Sequence, residues 1–173
     1  MASNFITYTK HGVAESTLLK ATQVGHHYNL VNESKDIDNG SVAAIGDRKK
    51  ADVFEAKVPA KGDKIVLILT APKIYQEYET RMQEESNFYN GKGEVMRAYE
   101  IQDTDRFTLS TEAFNSDAEL AVGKYVFVDG TDFKLTTGEK PNMTEYGFVG
   151  HIYEVAANGN YRIWVDKNAQ VYA

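Results

Sequence analysis

Two dipeptides, Asp129-Gly130 and Asn158-Gly159, constrain the fold of this chain more than any other feature of its sequence. Alternating aromatic and β-branched runs flank each of them, at 124–128 and 131–135 and at 147–155 and 161–165. Asp-Gly and Asn-Gly supply the positive φ angles that tight reversals require. The sequence therefore predicts that two β-hairpins close the chain.

Turn signals of the same kind punctuate the first half of the chain. The sequences DIDNGS at 36–41 and PAKGD at 59–63 predict turns. Short strands are predicted between and after them, at 41–46, 53–56, 64–69, 95–101 and 107–110. The run at 64–69 is almost wholly apolar, which indicates a central strand, and it is far shorter than the roughly 20 residues of a membrane span. Turns at roughly 8–12-residue intervals indicate a sandwich or a small barrel.

Only one segment has the spacing of a helix. Pro72 is suited to a first turn, and Ile74, Tyr75, Tyr78 and Met82 recur at helical intervals before Asn-Gly at 90–91. The fold class predicted from these patterns is mainly β. We expect a small antiparallel β-barrel or sandwich with one short helical insertion and an extended N-terminal arm.

The domain organisation predicted is simple. Residues 1–20 form the N-terminal arm, and residues 21–173 form a single β-rich domain, since no Gly-, Ser- or Pro-rich linker divides them. If the arm docks on another subunit, it must bury apolar anchors to offset the entropy it loses. The candidate contact residues are Phe5, Ile6, Tyr8, Val13, Leu18 and Leu19.

Composition excludes several function classes. The chain has no cysteine, which excludes disulfide scaffolds, cysteine zinc sites and thiol catalysis. Its 25 acidic and 19 basic residues give a net charge of −6, and a nucleic-acid partner is not expected because such proteins carry a basic face. The N-terminus lacks the pattern of a signal peptide, so we expect synthesis in the cytoplasm of the producing cell and no membrane partner.

No motif predicts a catalytic, cofactor or metal site. His26 and His27 are adjacent and would point to opposite faces of a strand, where they could not chelate together. A carboxylate-dyad hydrolase is one alternative, and it requires two of Glu100, Asp103 and Asp105 to converge in a cleft. We expect no catalytic residues, no cofactor and no metal.

A second alternative is a module that binds glycans or a host surface. Such a module would present an exposed stripe of aromatic side chains on a β face, for which Trp164 and Tyr153 are the candidates. Aromatic residues at strand spacing more often belong to a core or a subunit contact. Exposure of the rings therefore distinguishes this alternative from a structural role.

Several short sequences occur in an order that resembles a family of tailed-phage proteins. They are STLLK at 16–20, DIDNGS at 36–41, VFEA at 53–56, PAKGD at 59–63, LIL at 67–69, AP at 71–72, IY at 74–75, RAY at 97–99 and DRFTLS at 105–110. The family comprises capsid decoration proteins, also called head-stabilising or cement proteins, chiefly from phages of Gram-positive hosts.

The resemblance implies a function and a location. The chain would be a non-enzymatic virion structural protein that binds the outer surface of the capsid shell and stabilises it. Its implied partner is the major capsid protein, and a second partner is the chain itself in a homo-oligomer such as a trimer. An acidic protein suits the outside of a DNA-filled shell, because it does not bind nucleic acid there.

Overall fold

A computed structural model of the protein describes residues 10–72 and 85–172. Within them the chain forms strands β1–β13 and one short helix, α1. Their bounds are β1 Ala14–Glu15, α1 Lys20–Val24, β2 His27–Val31, β3 Ile37–Asp38, β4 Val42–Lys50, β5 Val53–Lys57, β6 Val66–Ile68, β7 Tyr89–Asn90, β8 Val95–Glu100, β9 Arg106–Leu109, β10 Tyr125–Phe127, β11 Thr136–Gly138, β12 Phe148–Val155 and β13 Tyr161–Asn168. The prediction of a mainly β fold is confirmed.

The strands form a closed barrel and an open sheet. The barrel has the order β2-β5-β4-β6-β8, and the six-stranded sheet has the order β1-β9-β13-β12-β10-β11. A two-stranded sheet, β3-β7, completes the set. The expected barrel is therefore present, although β2 and β5 pair in parallel, with Asn29 opposite Val53. Two strands can pair in parallel when the chain between them runs back to the starting end. Here β4, which pairs antiparallel with β5, lies between β2 and β5 in sequence and runs back.

Two hydrophobic clusters lie on either side of β6. The first is the barrel cluster, to which every barrel strand contributes, and three of its residues are alanine (Ala43, Ala56 and Ala98), which suits the narrow interior of a small barrel. The second is the sheet cluster, in which Leu67 packs with Val42 and the inner face of the six-stranded sheet. Because both of its faces are buried, β6 is wholly apolar, which confirms the predicted central strand.

One predicted hairpin is confirmed and the other is wrong in part. β12 and β13 flank Asn158-Gly159 and pair antiparallel, as predicted. β10, however, pairs with Thr136–Gly138 and not with residues 131–135. The carboxylate of Asp129 accepts hydrogen bonds from the backbone N–H and hydroxyl of Thr131. The chain then continues as a loop that places Phe133 in the barrel cluster and Leu135 in the sheet cluster.

The described part of the predicted N-terminal arm lies against the body of the protein. β1 pairs antiparallel with β9 as the end strand of the six-stranded sheet. Ala14 and Leu19 belong to the sheet cluster, so the predicted boundary at residue 20 does not separate two packed units. α1 follows without a sequence prediction, and it ends at Gly25, which has a left-handed backbone.

The predicted helical insertion falls mostly outside the described residues. Ile74, Tyr75, Tyr78 and Met82 lie between the two described ranges. After that gap the chain forms a 3-10 turn over Glu85–Asn87 and then enters β7. The backbone N–H of His11 donates to the Ser86 carbonyl at 2.7 Å, which ties this turn to the N-terminal segment.

Candidate functional site

The candidate contact residues of the N-terminal region have different environments. Phe5, Ile6 and Tyr8 lie outside the described residues. Val13 is half-buried, and its backbone N–H donates to the Ser110 hydroxyl at 3.0 Å. Leu19 is fully buried in the sheet cluster, so it is a core residue and not a surface contact.

Two apolar side chains near the ends of α1 are exposed to solvent. Leu18, which the sequence pattern indicated, is 48% exposed, and Val24, which it did not, is 77% exposed. Val24 is the last residue of α1, a helix for which the sequence made no prediction, so no sequence signal identified it. Leu18 and Val24 are termed the α1 pair below.

Two of the three carboxylates of the dyad hypothesis accept hydrogen bonds from backbone N–H groups. Asp105 is buried and accepts hydrogen bonds from the backbone N–H of Gln102 at 2.9 Å and of Lys20 at 3.3 Å. Asp103 accepts from the backbone N–H of Asn168 at 2.8 Å. Both carboxylates therefore hold loops together, and of the three only Glu100 lines a cleft.

That cleft has a volume of about 380 Å³ and carries both signs of charge. Its lining residues are Tyr28, Ala44, Ile45, Lys57, Val58, Asp63, Lys64, Val66, Glu100 and Gln170. Glu100 is its most buried acid, and it pairs with Lys64 and, at 2.7 Å, with His26 Nδ1. The hydrogen bond from Lys64, aided by the charge of His26, holds the pKa of Glu100 below its ordinary value against the opposing effect of burial.

We expect Glu100→Gln to lower the free energy of unfolding by about 1 kcal/mol near neutral pH, because it removes a partly buried charged pair. A lowered folded-state pKa stabilises the fold above the ordinary value of 4.5 and loses that effect as the pH falls through the folded value. The variant should therefore lose less stability than the wild type on acidification below that value. Urea unfolding at several pH values measures both effects.

Glu139→Gln is the matched control for Glu100→Gln. A hydrogen bond from Lys124 also lowers the pKa of Glu139, but the Glu139 side chain is almost fully exposed. Solvent screening should make its effect on stability the smaller of the two. Equal losses in the two variants would contradict the assignment of a stabilising role to the Glu100 pair.

The outer face of the six-stranded sheet carries a row of four side chains on adjacent strands. Arg106 on β9 lies opposite Trp164 on β13, Trp164 lies opposite His151 on β12, and His151 lies opposite Tyr125 on β10. Their neighbours along each strand are buried in the sheet cluster on the opposite face; these neighbours are Phe107, Ile163, Val165, Ile152 and Val126. The four residues Arg106, Trp164, His151 and Tyr125 are termed the aromatic row.

Contacts hold the rings of this face in place. Tyr153 meets Trp164 edge to face with ring centres 6.3 Å apart, and the guanidinium of Arg106 lies 5.5 Å from the Trp164 ring centre. His151 Nδ1 donates to Asp166 Oδ2 at 2.9 Å, and the His151 ring lies 6.2 Å from Tyr125. All of these side chains are half-buried. The row is therefore an ordered surface of aromatic rings and hydrogen-bonding groups.

The aromatic row and Tyr153, which packs on it, combine expected and unexpected residues. Trp164 and Tyr153 were the candidates for an aromatic stripe, and the structure brings them together with ring planes nearly perpendicular. Arg106, Tyr125 and His151 were not predicted to join them. A regular two-residue turn at Asn158-Gly159 would place Tyr153 opposite Trp164, but the observed register, with its shift between Ile152 and Glu154, places His151 there instead, so no local sequence signal indicated His151. Arg106 and Tyr125 come from strands whose positions in the sheet have no local sequence signal.

Neither a metal site nor a membrane-spanning helix is present in the part of the chain that the structure describes. Residues 10–72 and 85–172 contain no group of three or more His, Cys, Asp or Glu side chains placed to hold a metal ion. Over the same ranges, no helix has the length and apolar character needed to cross a membrane.

Comparisons with protein-family models, curated proteins and solved structures find no match for this chain.

Proposed function

We propose that this chain is a non-enzymatic structural protein of a tailed-phage virion that binds the exterior of the capsid shell and stabilises it. Its partner in this proposal is the major capsid protein, and it also contacts further copies of itself. The observation that carries the proposal is the N-terminal region, where an end strand of the sheet lies next in sequence to the exposed α1 pair.

The end strand supports the proposal through its backbone. β1 pairs with β9 on one side, and within the described part of the chain no strand pairs with its other side. A strand in this position offers backbone N–H and C=O groups to another chain, which is the basis of β-augmentation. A neighbouring subunit that adds a strand here would gain backbone hydrogen bonds without a pocket.

The α1 pair supports the proposal through apolar surface. Leu18, just before α1, and Val24, its last residue, both leave apolar side chains exposed to water. Covering such side chains contributes roughly 25 cal/mol for each Å² removed from water. Many copies on one shell act together, so a weak contact at each copy still holds the shell strongly.

The net charge of the chain is consistent with a position on the outside of the shell, away from the packaged DNA. The net charge of −6 disfavours binding to nucleic acid, whereas a protein that faces packaged DNA is more often basic. Together with the ordered sequence features that resemble the decoration family, this charge supports the capsid exterior over the lumen.

The proposal predicts that shells which carry this chain retain DNA to a higher temperature than shells without it. The double variant Leu18→Gln/Val24→Gln should bind depleted shells about tenfold more weakly, because it removes apolar contacts at two positions. Co-sedimentation of the purified chain with shells measures binding, and dye access to DNA on heating measures retention.

Val122→Gln is the matched control for these substitutions. Val122 is 60% exposed and lies in the turn before β10, away from α1 in sequence. The Val122→Gln variant should bind shells with the same affinity as the wild type. Equal binding by the double variant, or equal heat stability of particles with and without the chain, would refute the proposed function.

A further inference from the structure

We propose that the aromatic row binds an uncharged oligosaccharide on the outer face of the six-stranded sheet. This inference concerns a different surface from the α1 pair and does not depend on the capsid proposal. It is carried by the order of side chains across four adjacent strands, Arg106, Trp164, His151 and Tyr125, and by the ring of Tyr153 that packs on Trp164.

The dimensions of the row suit a chain of sugars. Neighbouring strands lie about 4.8 Å apart, so Trp164 and Tyr125, on strands separated by β12, lie roughly 10 Å apart along the sheet. Two aromatic rings at this separation can each contact a different sugar of one oligosaccharide. His151 on β12 lies between these two rings, and its hydrogen-bond partner Asp166 lies two residues after Trp164 on β13.

The chemistry of the row matches both surfaces of a sugar. A pyranose ring has an apolar C–H face, which packs on an aromatic ring, and a rim of hydroxyl groups, which need hydrogen-bonding partners. Trp164 and Tyr125 supply the rings. Asp166 supplies acceptor oxygens, Arg106 supplies donors, and His151 keeps Nε2 as a second polar atom after Nδ1 donates to Asp166.

The charges of this face favour an uncharged ligand. His151 pairs with Asp166, and beside them Arg162 Nη1 donates to Glu154 Oε2 at 2.8 Å. The carboxylates of Asp166 and Glu154 therefore lie on this face beside the basic groups, whereas a nucleic acid or another polyanion needs a predominantly basic surface. The core of a protein interface needs a more apolar and closely packed patch than one built from paired charges.

The single tryptophan of the chain provides a direct readout. Trp164 is the only tryptophan in the sequence and lies within the row, so its emission reports this site alone. The full chain is titrated with cellohexaose, chitohexaose and maltohexaose at up to millimolar concentrations. We expect at least one of them to produce a saturable blue shift of Trp164 emission, because a bound sugar displaces water from the ring.

Variants of the row test whether the signal arises from the proposed contacts. Tyr125→Ala and Asp166→Asn should each weaken binding about tenfold, the equivalent of one lost ring contact or charged hydrogen bond. Tyr125→Phe keeps the ring and should restore most of the affinity. Tyr172→Ala is the control, because Tyr172 is 87% exposed and lies beyond β13, outside the row.

Three results of the saccharide titrations would each overturn this inference. They are no saturable change with any of the three hexasaccharides, unchanged affinity in both Tyr125→Ala and Asp166→Asn, and an equal loss in Tyr172→Ala. A fourth result combines two measurements: the wild type binds no saccharide, and Asp166→Asn binds shells more weakly. This result would assign the row to a protein partner and would also overturn the saccharide inference. Affinity that holds as salt rises supports an uncharged ligand, and a steep decline contradicts it. The α1-pair variants keep the row intact, so failure of the capsid proposal is separately detectable.

Discussion

Asn168→Ala is expected to lower the free energy of unfolding by about 3–5 kcal/mol, because it leaves several buried backbone groups without partners. Asn168 is buried at the end of β13. Its Oδ1 accepts from the Ile65 N–H at 2.9 Å, and its Nδ2 donates to the carbonyls of Ile65 at 2.8 Å and Ile101 at 2.7 Å. One side chain therefore joins the six-stranded sheet to the segments that flank two barrel strands, β6 and β8.

Urea unfolding followed by Trp164 emission measures this loss, and Asn160→Ala is its matched control. Asn160 lies after the turn between β12 and β13, and its backbone atoms make its hydrogen bonds. That control should change the free energy of unfolding by less than about 0.5 kcal/mol. A loss below about 1 kcal/mol in Asn168→Ala would show that water or a rearranged loop satisfies the freed groups of Ile65 and Ile101.

Leu67→Ala is expected to cost about 3 kcal/mol of folding free energy, through lost burial and the cavity that remains. Leu67 is fully buried at the middle of β6, and its side chain lies in the sheet cluster. Its neighbours Val66 and Ile68 point into the barrel cluster. Because β6 is held on both faces, the strand cannot move to fill the cavity without disturbing the barrel interior.

Two comparisons make the Leu67 prediction specific. Leu18→Ala removes the same atoms from a side chain that is 48% exposed, so its loss should be well under half of that in Leu67→Ala. Leu67→Met conserves volume and should cost less than about 1.5 kcal/mol. Similar losses in Leu67→Ala and Leu18→Ala would contradict the position of Leu67 between the two parts of the fold.

Local sequence predicted those elements whose partners are close along the chain. The β12–β13 hairpin followed from Asn158-Gly159, because the turn and both strands lie within a short stretch. The apolar run at β6 predicted a strand buried on both faces, because alternate residues in a half-buried strand would be polar. The same reasoning failed at 131–135, where the apolar residues Phe133 and Leu135 enter two different clusters from a loop.

The candidate sites were predicted less completely than the strands. Leu18 and Leu19 were both candidate contact residues; Leu18 is exposed, whereas Leu19 packs in the sheet cluster. Trp164 and Tyr153 were named as a possible pair of rings, and their contact follows from one hairpin. Asp103 and Asp105 were candidates for catalysis, yet both accept backbone N–H groups from distant segments.

Turns, the alternation within strands and the buried apolar run of β6 were readable from the sequence, because they depend on preferences of a few neighbouring residues. Only the tertiary structure decided that β2 and β5 pair in parallel, and that β9, β13, β12 and β10 lie side by side. Strand order depends on which faces bury together across long loops. The aromatic row and the Asn168 contacts therefore exist only in the folded chain, because each joins residues that no local pattern connects.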